Sequence, residues 1–127
     1  REAAEQQALF EWRDASTFTY PGIGLMFAIP NGAYLQGSGW QRARQWEKLR
    51  KQGARPGVSD IFLPYPAGGY SGLWIELKAP KPHRSKVTEE QWGWLEAMNK
   101  VGYKAKVCYG AEEAIETIKR YMRAENG

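Results

Sequence analysis

Apolar and polar positions recur along the chain with two periods, and these predict the order of its helices and strands. Intervals of three and four residues predict helices at Glu2 to Arg13, Trp40 to Gln52, Thr88 (the N-cap) to Lys100, and Ala111 to Arg123. Short apolar or alternating runs predict strands at Leu25 to Ile29, Ile61 to Leu63, Leu73 to Lys78, and Lys104 to Tyr109. We therefore expect a mixed α/β fold, with helices packed about one small sheet.

Two of these segments have patterns that predict where they pack. The run from Leu25 to Ile29 is wholly apolar, which is typical of a buried, central strand. The second helix is expected to turn Trp40, Ala43, Trp46 and Leu49 toward the core. The tryptophans Trp40, Trp46, Trp92 and Trp94 are expected in the core or an interface rather than stacked on bases.

The strand from Leu73 to Lys78 carries the strongest chemical signal. Its period of two places Glu76 and Lys78 on the face opposite Leu73, Ile75 and Leu77. A turn-forming stretch delivers Asp60 to the start of the preceding strand, and pairing of the two strands would bring Asp60 to Glu76 near the Leu77 carbonyl. The alternative is a surface ion pair, worth at most about 1 kcal/mol.

These residue types suit phosphodiester cleavage by a divalent metal. Carboxylate and carbonyl oxygens bind Mg²⁺ or Mn²⁺, and a lysine supplies positive charge where the transition state gains negative charge. Asp60, Glu76 and Leu77 are therefore the predicted metal ligands, and Lys78 is the predicted catalytic lysine.

Composition narrows the classes of protein further. The 127 residues fit a single domain, 1–127, and the formal charge of +4 favours a polyanionic partner. One Cys and one His exclude an internal disulfide and a Cys/His zinc site. Neither a membrane helix nor a signal peptide is predicted, so we expect a soluble, cytoplasmic protein without membrane contact.

The motifs in their order resemble the VRR-NUC family, the virus-type replication-repair nucleases of the PD-(D/E)xK superfamily with its restriction-endonuclease-like fold. The resemblance rests on Glu5-Gln6, Leu9 to Trp12, Ile29 to Gly32, Gly53 to Asp60, Glu76 to Ala79, Thr88 to Gln91, and Trp94-Leu95. Ser59 stands where many superfamily members have proline. The resemblance implies an Mg²⁺- or Mn²⁺-dependent nuclease with Asp60 and Glu76 as ligands and Lys78 as the catalytic lysine.

The resemblance adds two site residues, one on each flanking helix. A family glutamate on the first helix matches Glu5, which shares a face with Leu9 and Trp12, although Glu2 one turn earlier could take that role. A family glutamine matches Gln91, which with Thr88 also spells a helix capping box. Asn31 could approach the site from the turn after the first strand.

Basic residues predict a track for DNA phosphates beside the site. They lie on the second helix and in the loop after the catalytic strand: Arg42, Arg44, Lys48, Lys81, His83, Arg84 and Lys86. Taken singly, each is also explained as a solvated surface charge.

We therefore expect an endonuclease of replication and repair, plausibly phage-encoded and acting in a bacterial host. Compact family members imply a homodimer that resolves four-way junctions, with apolar residues of the second helix and Ile115, Ile118 and Met122 forming the interface or simply completing the core. The alternatives are a non-cleaving DNA-binding module, a monomeric nuclease directed to flaps or nicks, and a restriction-type enzyme, for which the chain has little room.

Overall fold

The computed structural model of the protein describes residues 2–30 and 35–124. Within these ranges the helices are α1 (Glu2–Ala15), α2 (Gly39–Lys51), α3 (Glu89–Lys100) and α4 (Ala111–Arg123). The strands are β1 (Phe27–Ala28), β2 (Ile61–Leu63), β3 (Leu73–Lys78) and β4 (Lys104–Tyr109), and a 3₁₀ turn spans Ile23–Leu25. None of these helices is long and apolar enough to cross a membrane.

The four strands form one mixed sheet in the order β1-β2-β3-β4. β1, β2 and β3 are antiparallel neighbours, whereas β4 runs parallel to β3 at the other edge. The parallel pair is connected through α3, because a parallel connection needs a crossover. The predicted mixed α/β fold is therefore confirmed.

α1 and α4 pack together on one face of the sheet and cover the core. The inward residues of β3, Leu73, Ile75 and Leu77, are fully buried there against Leu9 of α1 and Ile118 of α4. These contacts follow from the alternation along β3, in which every second side chain is apolar.

The opposite face of the sheet is aromatic and only partly covered. Phe62 stacks on Trp74 with ring centroids 4.2 Å apart, and Phe27 and Tyr103 meet Phe62 edge-on. Trp94 of α3 covers Trp74 from one side. We call Phe27, Phe62, Trp74 and Tyr103 the open aromatic face, because each keeps part of its surface in solvent.

The prediction of a central strand at Leu25 to Ile29 is wrong. Leu25 ends the 3₁₀ turn and is exposed, and β1 is a two-residue strand at the edge of the sheet. The apolar run is divided because Met26 enters the core while Phe27 points to the open aromatic face.

The second helix forms as predicted, but the prediction that it packs on the core is wrong. No residue of α2 is buried, and Trp40 is 68% exposed, so this tryptophan is not a core residue. The helix is stabilised locally, by a capping box between Ser38 and Gln41 and by Arg44 stacked over Trp40. Trp92 on α3 is also half exposed.

Candidate active site

A tight turn carries the chain into β2 and fixes Asp60. Gly57 has a φ of +87°, and a Cβ atom there would lie 2.4 Å from the backbone carbonyl of Glu90 in α3. Only glycine therefore allows the turn to pack this closely on the helix. Ser59 follows in a fully buried position, and Asp60 precedes the first residue of β2.

Pairing of β2 with β3 brings the two predicted carboxylates together. Ile61 lies opposite Ile75, so Asp60 reaches the next part of β3, where its Oδ2 accepts a hydrogen bond of 2.8 Å from the Leu77 backbone amide. Asp60 and Glu76 also share a side-chain hydrogen bond. The expected strand pairing and the convergence of the two carboxylates are thus present in the structure.

Glu76 is held in an unusual state for a carboxylate. It is only 2% exposed, and its Oε1 is buried without a hydrogen-bond partner among the described residues. Burial raises the pKa of Glu76 to about 9, with further contributions from the charge and hydrogen bond of Asp60, and Lys78 opposes the shift. Near neutral pH the Glu76 carboxyl therefore holds a proton unless a cation replaces it.

Lys78 lies on the same face as Glu76, as the period of the strand predicts. It is 6% exposed, and its Nζ is 3.8 Å from Glu76 Oε2. This spacing is too long for a strong hydrogen bond. The ammonium group of Lys78 therefore stays available to a ligand that binds on this face of β3.

The first helix presents Glu2, rather than Glu5, to this pair. The pKa of Glu2 is raised by partial burial and by the charge of Asp60, and Lys78 acts in the opposite direction. Glu5 instead turns toward α4, where its Oε1 accepts a 2.7 Å hydrogen bond from the Ala111 amide. Because Gly110 offers no side-chain cap, Glu5 caps α4 in its place.

Gln91 is engaged in the capping box rather than directed to the carboxylates. The Gln91 side-chain Oε1 accepts a hydrogen bond from the Thr88 backbone N–H at 2.9 Å, and the Gln91 backbone N–H donates to Thr88 Oγ1 at 3.1 Å. The structure thus brings together Asp60, Glu76 and Lys78, with Glu2 of α1 lining the same cleft as Asp60, and it places the side chains of Gln91 and Glu5 at the starts of α3 and α4.

The predicted DNA contacts are all exposed, but only part of them lies close to the site. Arg84 packs over the ring of Tyr109 at 4.2 Å, and Tyr109 pairs with Lys78 in the sheet. The loop with Lys81, His83 and Lys86 therefore borders the end of the catalytic strand. Arg42, Arg44 and Lys48 lie on α2, and Asn31 and Gly32 lie outside the described residues.

A cleft of about 920 Å³ opens between α1 and β1 and reaches Asp60. Sequence reasoning named Glu2 as an alternative site residue but missed most of the remaining lining: Gln6, Phe10, Arg13, Phe27, Ile29 and Pro30. The signal was present in α1, where positions 2, 6, 10 and 13 recur at helical spacing and share a face. The cleft makes one side of the Asp60 and Glu76 pair accessible from solvent.

The donor set fits a divalent cation in part. No group of three or more His, Cys, Asp or Glu side chains in residues 2–30 and 35–124 is arranged to hold a metal. Asp60 and the buried Glu76 nevertheless form a pair of oxygen donors, and the unpartnered Glu76 Oε1 is the kind of atom that a cation satisfies. Water or other ligands would have to complete the coordination.

Comparison with known proteins identifies a matching family and a similar fold. A family model described as the VRR-NUC domain matches residues 2–112. A solved structure described as a VRR_NUC domain protein superimposes with a TM-score of 0.79, at 24% identity, over 97% of this chain and 88% of the other. A comparison with curated proteins gave no match.

Proposed function

The chain belongs to the VRR-NUC domain family, which implies a nuclease-type function, and on this basis we propose that it is an Mg²⁺- or Mn²⁺-dependent DNA endonuclease. Asp60, Glu76 and the Leu77 carbonyl are its proposed metal ligands, with Glu2 as the helix carboxylate in place of Glu5. Lys78 is the proposed catalytic lysine.

One observation carries this proposal: Glu76 is a buried carboxyl group with an unpartnered oxygen, held against a second carboxylate. Burying such a group costs several kcal/mol unless it is paired or binds metal. Lys78, 3.8 Å away, offsets this cost only in part, because the pKa of Glu76 stays raised. A cation between the carboxylates would supply the remaining compensation.

Different residues of the chain would contribute to different parts of the proposed cleavage reaction. A divalent cation, when bound, supplies positive charge to the phosphate and lowers the pKa of a water molecule. Asp60 is oriented for binding by the Leu77 amide, which fixes one of its oxygens. Lys78 places its charge beside the same carboxylates, where the scissile phosphate gains negative charge. Arg84, held over Tyr109, would contact a neighbouring phosphate.

We further propose that the protein acts on branched DNA as a homodimer, because two sites related by a two-fold axis suit two symmetric cuts. Ile118 and Met122 do not supply the interface, since both are buried in the core of the single chain. The open aromatic face is the better candidate, because half-exposed aromatic side chains are typical of interface centres.

Cleavage assays on labelled flaps, nicked duplexes and four-way junctions test the catalytic assignment. Asp60→Asn and Glu76→Gln are each expected to abolish cutting while DNA binding survives or tightens, because each removes a metal-binding carboxylate that faces the phosphate. Glu116→Gln, an exposed carboxylate paired with Lys119, is the matched control and should cut normally. EDTA should stop the wild-type protein.

A variant of Asp60 or Glu76 that keeps more than about a tenth of the wild-type rate would show that the cation is held elsewhere. Cleavage that continues in EDTA would overturn the metal dependence. Binding of all three substrates without cutting any of them, in Mg²⁺ and in Mn²⁺, would favour the non-cleaving DNA-binding module.

Light scattering at micromolar concentration tests the homodimer. Phe27→Asp should convert the dimer to a monomer, because Phe27 is a 44% exposed member of the open aromatic face. Phe18→Asp, at a 96% exposed position, is the control and should leave the mass unchanged. A monomeric wild-type protein that makes single cuts would instead support a nuclease directed to flaps or nicks.

A further inference from the structure

A second concave site lies at the edge of the sheet, away from the carboxylates. It has a volume of about 450 Å³ and is bounded by β4, α4 and the loop between β2 and β3. Three basic side chains and a tyrosine ring line it: Lys104, Lys106, Arg120 and Tyr70. We call this site the cationic pocket.

The cationic pocket lies on the other face of the sheet from the candidate active site. Lys104 and Lys106 pair with Leu73 and Ile75, so they share the face that α4 covers. Lys104 also lies at the opposite end of the parallel pair from Lys78, a separation of about 17 Å along the strand at 3.3 Å per residue. The two sites therefore cannot hold the same nucleotide.

The basic groups of the cationic pocket have no anionic partner in the part of the chain that is described. No carboxylate among residues 2–30 and 35–124 lines the pocket, and none of its three cations forms a salt bridge with them. Two carboxylates of α4 are engaged elsewhere: Glu116 with Lys119, and Glu113 with the Tyr109 amide. Three like charges around one concavity favour an anion from solution.

The wall of the pocket is held in place by contacts of the fold. Tyr121 donates a 2.6 Å hydrogen bond to the Tyr65 carbonyl, which ties α4 to the loop after β2. Within that loop, Ala67 and Tyr70 exchange backbone hydrogen bonds. A Cβ atom at Gly68 would lie 2.7 Å from the Ala124 carbonyl, so the loop packs tightly on the end of α4. The pocket is therefore shaped before any ligand arrives.

The chemistry of the lining selects a phosphate with a flat ring beside it. Lysine and arginine are the usual partners of phosphate oxygens. Thr117, whose hydroxyl group is 3.4 Å from Cys108 Sγ, adds a polar group to the lining. Tyr70 is 37% exposed at the rim, and its ring, with Lys104 Nζ 5.4 Å away, offers a stacking surface for a base.

We propose that the cationic pocket binds one nucleotide unit of a DNA strand, through its phosphate, outside the active site. This inference rests on the proposed nuclease function for its choice of DNA as the source of the phosphate. A free mononucleotide carries the same chemistry and is the other source that the experiment must separate. A strand that fills both sites has to bend around the sheet or belong to a second arm of a branched substrate.

The test compares Lys106→Ala/Arg120→Ala with Lys119→Ala. Lys106 and Arg120 are exposed and line the pocket. Lys119 lies next to Arg120 on α4 but does not line the pocket. Dissociation constants for a fluorescent four-way junction are measured by anisotropy in EDTA, so that cleavage does not interfere. Isothermal titration calorimetry measures whether the pocket also binds 5′-dAMP or inorganic phosphate in the absence of DNA.

The double variant should bind the junction about tenfold more weakly than wild type, with a salt-dependence slope smaller by about one, because the one phosphate contact that it loses contributes about 0.9 to that slope. Lys119→Ala should stay within about twofold of wild type. Equal binding by the double variant and Lys119→Ala would overturn the proposal. Binding of 5′-dAMP that the double variant loses, with junction affinity unchanged, would overturn DNA as the source.

The binding measurement tests the cationic pocket separately from the proposed nuclease activity. If the wild-type protein cuts DNA while the double variant binds like Lys119→Ala, only the cationic pocket is refuted. If the wild-type protein cuts nothing while the double variant still loses affinity for the junction, the nuclease proposal fails and the pocket stands.

Discussion

Glu76→Gln should become increasingly stable relative to the wild-type protein as pH rises, although the substitution abolishes the proposed activity. Glutamine keeps the shape of the side chain and cannot ionise. The wild-type carboxyl group has a pKa near 9 in the folded protein against 4.5 as its ordinary value, so the folded protein keeps a proton at pH values where the unfolded chain releases it, and this costs stability as the solution becomes basic. The variant avoids that cost.

The sign of the effect follows from the protons bound in each state. Between pH 4.5 and 9 the folded protein holds a proton on Glu76 that the unfolded chain has released, so stability falls as pH rises through this window. The slope is about 1.4 kcal/mol per pH unit, so the wild-type protein should lose up to about 3 kcal/mol of stability between pH 6 and pH 8. Glu76→Gln lacks this loss.

Urea unfolding in EDTA, followed by tryptophan fluorescence at pH 6, 7 and 8, measures the difference. The free energy of unfolding of Glu76→Gln minus that of wild type should grow across the series. Glu116→Gln, at an exposed carboxylate, should show no such growth. A difference for Glu76→Gln that stays constant within about 0.5 kcal/mol would mean that Glu76 is ionised throughout, and would refute the reasoning from burial.

Three further predictions concern other residues. Lys78→Ala should reduce cutting by about 100-fold or more yet keep Mn²⁺ affinity, and calorimetry that shows lost Mn²⁺ binding would contradict its role. Glu5→Ala should cost about 1 kcal/mol of stability without changing Mn²⁺ affinity, whereas Glu2→Gln should weaken Mn²⁺ binding at unchanged stability; the reverse pattern would return the ligand role to Glu5. Arg42→Ala/Lys48→Ala should weaken DNA binding and leave the urea midpoint unchanged, because no residue of α2 is buried, and unaltered affinity would exclude α2 from the DNA path.

Local patterns were enough to predict β3 and the parts of the site that it carries. Alternation fixed the face of Glu76 and Lys78, and the turn before β2 fixed the position of Asp60. The capping box at Thr88 and Gln91 is likewise a local feature, and sequence reasoning recognised it beside the alternative role at the site. In each case the interactions that decide the structure lie within a few residues or between adjacent strands.

The errors arose where distant parts of the chain decide the outcome. The periodicity of α2 showed an apolar stripe along the helix. It could not show that this stripe stays uncovered by the rest of the described chain. Glu2 and Glu5 lie one turn apart, so their relation to the carboxylates depends on how α1 is placed. That placement is set by the packing of α1 on α4 and by the contact of Glu5 with Ala111, which is 106 positions away and leaves no trace in local spacing.

The contact between Glu5 and Ala111 also sets a condition on the order of biosynthesis. The ribosome releases α1 before α4, yet α1 is anchored through its hydrogen bond to α4 and through packing of Leu9 and Ile118 in one core. The position of α1 beside Asp60 is therefore not fixed while the nascent chain lacks α4.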